Sequence, residues 1–227
     1  DKVGFARDLV GPRMKLRHSP DSYNFSFMAL PLRPELARTV AEFYLADGDW
    51  SVAKSRILAT NALQCRSSRS SVRMERELRQ RLATLTHDQL TLLATATAED
   101  RAAIAWLAAL KHIRFAFDFA AEVLRDKLDT QDLVLRYSDY ETYVETKSAF
   151  HPELAKLRPS SRTKVRQIIL GMVTEAGLVG VTGRVMTVAR PVLSPPVLRA
   201  VLADDPRWLA GFLVPDDEIG VLRCLRP

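Results

Sequence analysis

Residues 159–188, PSSRTKVRQIILGMVTEAGLVGVTGRVMTV, decide the fold of the second half of the chain. Pro159 suits the first turn of a helix, and Gly177 suits the left-handed position that follows a helix end. Between them, apolar residues recur at the spacing of one buried helical face: Val165, Ile168, Ile169 and Met172. After Gly177, an apolar run broken by glycines predicts a small β-hairpin with Arg184 at its tip.

The residues just before this stretch add one strand and one helix. Leu133-Val134-Leu135 predicts a short strand, and residues 138–150 predict a helix. A strand, two helices and a hairpin follow each other in this order in a winged helix-turn-helix. We therefore predict a winged-helix-like segment over residues 131–192.

The first half of the chain predicts helices. Asp49 suits the N-cap of a helix from Trp50 to Asn61, and an arginine-rich helix follows and ends near Leu85. The expected fold class is mainly α: an N-terminal helical bundle with a helix-turn-helix, then the winged-helix-like segment with its small β-hairpin. The predicted divisions are a flexible arm (1–22), an N-terminal helical domain (23–130), the winged segment (131–192) and a C-terminal helical tail (193–227) with short helices near 197–202 and 208–213.

The charge of the chain is concentrated in one segment. The 227 residues carry 33 Lys and Arg against 27 Asp and Glu, a net charge of +6. Residues 54–81 contain eight of the basic residues and only two acids, Glu75 and Glu77, and so account for the whole net charge. Concentrated positive charge favours a polyanionic partner.

On a helical wheel, residues 66–85 separate into two faces. Met74, Leu78, Leu82 and Leu85 form an apolar stripe, and Arg69, Arg73, Arg76 and Gln80 lie opposite it. Ser70 or Ser71 is expected to cap this helix, and the N–H groups of its first turn offer an anion site. A solvated arginine-rich face without a partner is the alternative interpretation.

These patterns predict a two-part DNA-binding site. Arginine suits it because its planar guanidinium binds phosphate oxygens or guanine edges bidentately. The candidates in the arginine-rich segment are Arg66, Ser67, Ser68, Arg69, Ser70, Arg73, Arg76 and Gln80. The candidates in the winged segment are Arg162, Thr163, Lys164, Arg166, Gln167 and Arg184. Because winged helices also serve as protein-docking modules, that alternative stays open for the second group.

No enzyme motif is present, so we expect a protein without catalytic residues, metal or cofactor. The sequence has no Walker A motif, no G-x-S-x-G elbow and no H-E-x-x-H. Its two cysteines and four dispersed histidines offer no metal-ligand spacing. The longest apolar run, Ala102 to Leu110, is about half of a membrane span. Because residues 1–22 are polar and contain no signal-peptide core, we expect a cytoplasmic protein without membrane contact.

Several modest motifs, in a fixed order, carry a resemblance to a known family. They are Tyr23-x-Phe25-Ser26-Phe27, Gly48-Asp49-Trp50, Asn61-x-Leu63-Gln64, Arg66-Ser67-Ser68-Arg69-Ser70-Ser71, the run from Arg76 to Thr86, His151-Pro152-Glu153-Leu154 and the Ser160-Ser161 helix start. This pattern resembles the BrxA family of BREX (bacteriophage exclusion) phage-defence systems. The resemblance covers residues 23–190.

The resemblance implies a mostly helical protein with helix-turn-helix and winged elements, whose N-terminal half is similar to the antitermination factor NusB. It implies a non-enzymatic component that binds double-stranded DNA and acts with other BREX proteins. An RNA-binding or protein-bridging adaptor is the alternative. Because residues 54–81 contain no aromatic side chain for stacking on bases, the sequence favours duplex DNA over single-stranded RNA.

Overall fold

The structure, a computed structural model, describes residues 22–25 and 30–224. The predicted arm over residues 1–22 therefore lies almost entirely outside the described residues. The described chain is mainly helical, as predicted, with one small three-stranded antiparallel sheet. Within this part of the chain, none of the helices is both long and apolar enough to cross a membrane.

The helices follow in this order: α1 (Pro34–Asp47), α2 (Trp50–Ala59), α3 (Ser68–Leu82), α4 (His87–Thr95), α5 (Ala98–His112), α6 (Arg114–Phe119), α7 (Arg125–Asp129), α8 (Tyr137–Ser148), α9 (Pro152–Ala155), α10 (Pro159–Glu175), α11 (Pro195–Asp204) and α12 (Asp216–Cys224). A π-helical turn (Ala120–Leu124) joins α6 to α7, and a 3-10 helix (Pro206–Phe212) follows α11. The strands are β1 (Val134–Leu135), β2 (Val179–Thr182) and β3 (Val185–Val188).

Helices α2, α3, α4 and α5 all pack against α1. Gly48 ends α1 in the left-handed conformation, with φ of 68°. The side chain of Asp49 then accepts the N–H groups of Ser51 and Val52, so it caps α2 as predicted. Helix α2 ends at Ala59, two residues earlier than predicted, and Asn61 has a positive φ of 47°.

The predicted strand, helices and hairpin of the second half are present. Strand β3 lies between β1 and β2, and both pairings are antiparallel. Helix α10 begins at Pro159 and buries Val165, Ile169 and Met172. Gly177 follows its end with φ of 76°, and Gly183 occupies the hairpin turn with φ of 62°. These outcomes confirm the helix, its C-terminal glycine and the hairpin.

The last segment packs into the same core as the first. Trp106 of α5 is fully buried, and its indole Nε1 donates to the carbonyl of Gly211 at 2.9 Å. Gln89 of α4 donates to the carbonyl of Ala200 at the same distance. A continuous hydrophobic cluster joins these helices to the second half. Helix α12 was not predicted, and the division into four segments stays a prediction.

We expect the Gly211→Ala substitution to destabilise the protein, because a Cβ there would lie 2.5 Å from a methyl carbon of Leu110. Overpacking of this kind costs about 1–3 kcal/mol of the free energy of unfolding. Chemical denaturation measures the cost. In a Leu110→Ala background the added cost should vanish.

The matched control is Gly220→Ala in α12, where a Cβ meets no atom of the described residues within 4 Å. Alanine should stabilise that helix by about 0.5–1 kcal/mol, because glycine loses more backbone entropy on folding. Equal effects at the two glycines would show that the segment around Gly211 does not pack against α5 as described.

Candidate nucleic-acid interface

Helix α3 is amphipathic in the way the sequence predicts. Leu78, Leu82 and Leu85 are buried, and Met74 at the end of the stripe is half-buried. The helix packs on α1, α2 and α5. This contact surface fixes which residues of α3 face outward.

The two acids of the basic segment lie on the inner side of α3. Glu75 and Glu77 are both buried. The Glu75 carboxylate accepts a hydrogen bond from Arg79 Nε at 2.6 Å, and that of Glu77 lies 3.5 Å from Arg76 Nη2. The acids therefore do not interrupt the outer face of the helix.

Arg81 belongs to the basic segment but not to the surface. Its guanidinium is buried and donates to the carbonyls of Leu30 and Pro31, at 2.7 and 2.8 Å. Burial lowers the pKa of Arg81 to about 10, while the negative charge of Glu77 acts in the opposite direction. Arg81 therefore fastens α3 to the segment that precedes α1 and leaves the outer face to the other arginines.

All eight candidates of the arginine-rich segment are exposed. Among the described residues, Arg66, Arg69 and Arg73 make no ion pair, and Arg76 reaches only the distant Glu77 carboxylate. Side chains at spacings of three and four lie on one side of a helix, so Arg69, Arg73 and Arg76 form a single row. We call this row the α3 arginine face.

The predicted cap of α3 was wrong by three or four residues. Ser67, not Ser70 or Ser71, is the N-cap: its Oγ accepts the N–H of Ser70 at 3.2 Å and donates to Ser70 Oγ at 2.9 Å. Ser67 is extended, with φ of −141° and ψ of 149°, whereas Ser70 and Ser71 lie inside the first turns. Successive serines all match the N-cap preference, so composition alone does not select among them.

The winged-segment candidates lie on and beside α10. Arg162, Thr163, Lys164 and Gln167 are exposed along its first half, and Arg184 is exposed in the hairpin turn. Arg166 differs from them, because it is half-buried, pairs with the Glu141 carboxylate and lies 4.9 Å from the ring centre of Tyr137. Arg166 is thus already engaged within the protein.

A groove of about 910 Å³ separates α10 from the hairpin, and the sequence analysis missed it. Arg166, Gln167 and Arg184 line it, together with apolar side chains. Four of those apolar side chains are exposed: Val134, Tyr137, Val181 and Val185. Val179 pairs with Val188 and Val181 pairs with Met186, and the two valines lie on the same side of the sheet because they are two residues apart. Val179 at the base of the hairpin is buried, whereas Val181 near its tip is exposed. The alternation of side chains along a strand predicts which residues share a side of the sheet, but it does not predict where the elements packed on that side end.

The structure brings the candidates together in two groups. Arg166, Gln167 and Arg184 share the groove beside α10. Arg66, Ser67 and Ser68 line a second cavity, at the start of α3. The result is a mainly helical protein with an exposed row of arginines and a separate groove.

The comparisons with known proteins name the family. The family model described as BrxA matches residues 21–205, and the chain belongs to the BrxA family. A relative from Escherichia coli O9:H4 (strain HS), named BREX protein BrxA, is 30% identical over 149 residues, which are 66% of this chain and 70% of the relative. A crystal structure of an uncharacterized protein from Magnetospirillum magneticum has the same fold, with a TM-score of 0.73 at 18% identity; the match covers 84% of this chain and 97% of that one.

Proposed function

We propose that this protein is a double-stranded DNA-binding, non-enzymatic component of a BREX-type phage-resistance system and works in the cytoplasm. The α3 arginine face is the observation that carries the DNA-binding part of the proposal. The name of the Escherichia coli relative supports the connection to BREX, and other BREX proteins are the further partners that it suggests.

The geometry of α3 suits a phosphate backbone. Arg69 and Arg76 are seven residues apart, about 10 Å along a helix. A duplex presents about one negative charge per 1.7 Å of its axis, so several phosphates lie within that length. Binding them breaks no ion pair of Arg69 or Arg73, because neither arginine has an acidic partner among the described residues. An exposed row of like charges destabilises an isolated helix slightly, because the charges repel each other. A bound polyanion would offset that repulsion.

The composition of the face favours binding to the backbone over base reading. Gln80 is the only amide side chain in the α3 group, and amides are the side chains that read adenine in the major groove. Contacts to phosphates position a protein on a duplex and carry little sequence information. We therefore propose that the protein binds duplexes of different sequence with similar affinity.

The winged-helix part of the proposal rests on topology. Strand β1, the helices α8 and α10 and the β2–β3 hairpin follow the winged-helix order, and β1 pairs with the returning strand β3. In such folds the start of the second helix meets the major groove, and the hairpin reaches the adjacent backbone. Arg162, Lys164 and Arg184 are exposed where those contacts are expected. The likeness of the first helices to NusB stays part of this proposal.

Docking of another protein is the second candidate function of this half. The groove beside α10 exposes Val134, Tyr137, Val181 and Val185 within one recess. Clustered exposed apolar side chains are typical of protein-interaction surfaces rather than of phosphate-binding ones. A BREX protein is then the expected partner.

Replacing Arg69, Arg73 and Arg76 together by Ala should lower duplex affinity at least about tenfold, since three phosphate contacts are lost. The fold should survive, because exposed substitutions change the free energy of unfolding by only about 0.5 kcal/mol each. Fluorescence anisotropy with a labelled duplex at fixed salt measures the affinity, and thermal melting checks the fold.

The control variant carries Arg199→Ala, Arg207→Ala and Arg223→Ala. These arginines are exposed and lie in α11, the 3-10 helix and α12. The control removes the same charge from elsewhere on the protein and should bind almost as tightly as the parent. If both triple variants bind the duplex equally well, the α3 arginine face is not the DNA site.

The pair Arg162→Glu and Lys164→Glu tests the role of α10. Both side chains are exposed and neither forms an ion pair in the described structure, so the buried face of α10 is unaffected. If α10 contacts the duplex, charge reversal should weaken binding at least about tenfold through repulsion of phosphates. Unchanged duplex affinity, measured by the same anisotropy titration, would exclude the DNA contact and leave the docking role for the groove.

A further inference from the structure

A cavity of about 520 Å³ opens at the start of α3, beside the end of α2. The loop from Asn61 to Ser67 closes one side of it, and the first turn of α3 forms another. Its polar lining includes Arg66, Ser67, Ser68 and Ser71. None of the described residues that line it is acidic.

The first turn of α3 presents free N–H groups to this region. Ser70 N–H is satisfied by the Ser67 side chain, and Ser71 N–H by the Ser67 carbonyl at 3.0 Å. In the described structure the N–H groups of Ser68 and Arg69 have no acceptor, as expected for the first residues of a helix. The positive end of the helix dipole adds to their attraction for an anion.

Ser71 is the independent observation that points to a ligand. The residue is only 4% exposed, yet its Oγ has no hydrogen-bond partner among the described residues. Several helical Ser and Thr side chains elsewhere in the protein donate to the carbonyl four residues back, as Ser55 does to Ser51 and Thr91 does to His87. Ser71 is among the residues that line the cavity, and its hydroxyl keeps its hydrogen-bonding capacity unused among the described residues.

The charges around Ser71 favour an anion there. Arg66 is exposed at the rim and forms no ion pair in the described part of the chain. Glu75 lies one turn further along the same side of α3. Its Oε1 accepts from Arg79 Nε at 2.6 Å, and its Oε2 has no hydrogen-bond partner among the described residues. The charge of Arg79 offsets that of Glu75. The local balance at the cavity is therefore positive.

We propose that this cavity binds one phosphate group, held by the Ser71 hydroxyl, the N–H groups of Ser68 and Arg69 and the guanidinium of Arg66. The inference rests on the proposed function for its source, a phosphate of the DNA backbone. The cavity is larger than one phosphate, which leaves room for the sugars that flank it. Bound there, the phosphate would fix the register of the duplex against the α3 arginine face.

Inorganic phosphate tests the site directly. In amide NMR spectra of the full chain, titration at constant ionic strength should shift the Ser68, Arg69 and Ser71 signals in a saturable way. The Ser71→Ala variant should bind phosphate at least about fivefold more weakly, since it loses a hydrogen bond to a charged group. It should melt no lower than the parent, because the lost hydroxyl has no partner among the residues that the structure describes. Absence of a saturable shift, or equal phosphate affinity in the variant, would overturn the proposal.

Two control variants separate the site from the helix cap. Ser67→Ala removes the N-cap and should lower thermal stability, which Ser71→Ala should not. Ser55→Ala removes a hydroxyl that is bonded within α2, outside the cavity, and should leave phosphate affinity unchanged. A loss of stability in Ser71→Ala like that in Ser67→Ala would mean that Ser71 is structural, which contradicts the proposal.

A duplex titration identifies the source of the phosphate. If the DNA backbone occupies the site, a saturating duplex should displace inorganic phosphate, and Ser71→Ala should bind duplex several-fold more weakly. Saturable phosphate shifts that persist in a protein unable to bind duplex would support the site and refute the proposed DNA-binding function. Tight duplex binding that neither displaces phosphate nor weakens in Ser71→Ala would keep the function and overturn the assignment of the site to the DNA backbone.

Discussion

The hydrogen bonds from the buried guanidinium of Arg81 to the carbonyls of Leu30 and Pro31 set the orientation of α3. A buried cation is costly unless it is well hydrogen-bonded, so α3 has little freedom to rotate about its axis. Glu75 and Glu77 are buried on the same helix; the Glu75 carboxylate accepts a hydrogen bond from Arg79, and the Glu77 carboxylate lies 3.5 Å from Arg76. The inner side of α3 therefore contains both signs of charge, and the charged side chains exposed on its outer side are arginines.

Because the acids of α3 are buried and its arginines are exposed, the outer surface of this helix suits the proposed binding of a phosphate backbone. The formal charge of residues 54–81 includes the buried charges of Arg81 and both acids, so it does not by itself describe the surface. What remains outside is a row of guanidinium groups beside a cavity whose polar lining residues include Ser67, Ser68 and Ser71. Arginines attract a polyanion over several ångströms, whereas Ser71 and the first-turn N–H groups act only in contact. The two features fit one ligand chemistry, the phosphate backbone.

Local patterns predicted most of the helices and both faces of α3, because periodicity and caps depend on residues close in the sequence. They missed what depends on distant residues. Arg81 follows the exposed Gln80 in the sequence, and only the carbonyls of Leu30 and Pro31, about fifty positions earlier, make its burial possible. The N-cap of α3 was predicted at the wrong residue, because other serines follow Ser67 closely in the sequence. The exposure of Val181 depends on where α10 and β1 stop covering the hairpin, which sequence alternation does not encode.

The salt dependence of duplex binding tests the central claim most directly. If four to six basic side chains bind phosphates, log K should fall against log salt with a slope of about −4 to −5. In the variant that lacks Arg69, Arg73 and Arg76, the slope should be shallower by about 2 to 3, because each phosphate contact contributes about −0.9. A flat response in the parent protein, or the same slope in both proteins, would contradict a phosphate-binding face on α3.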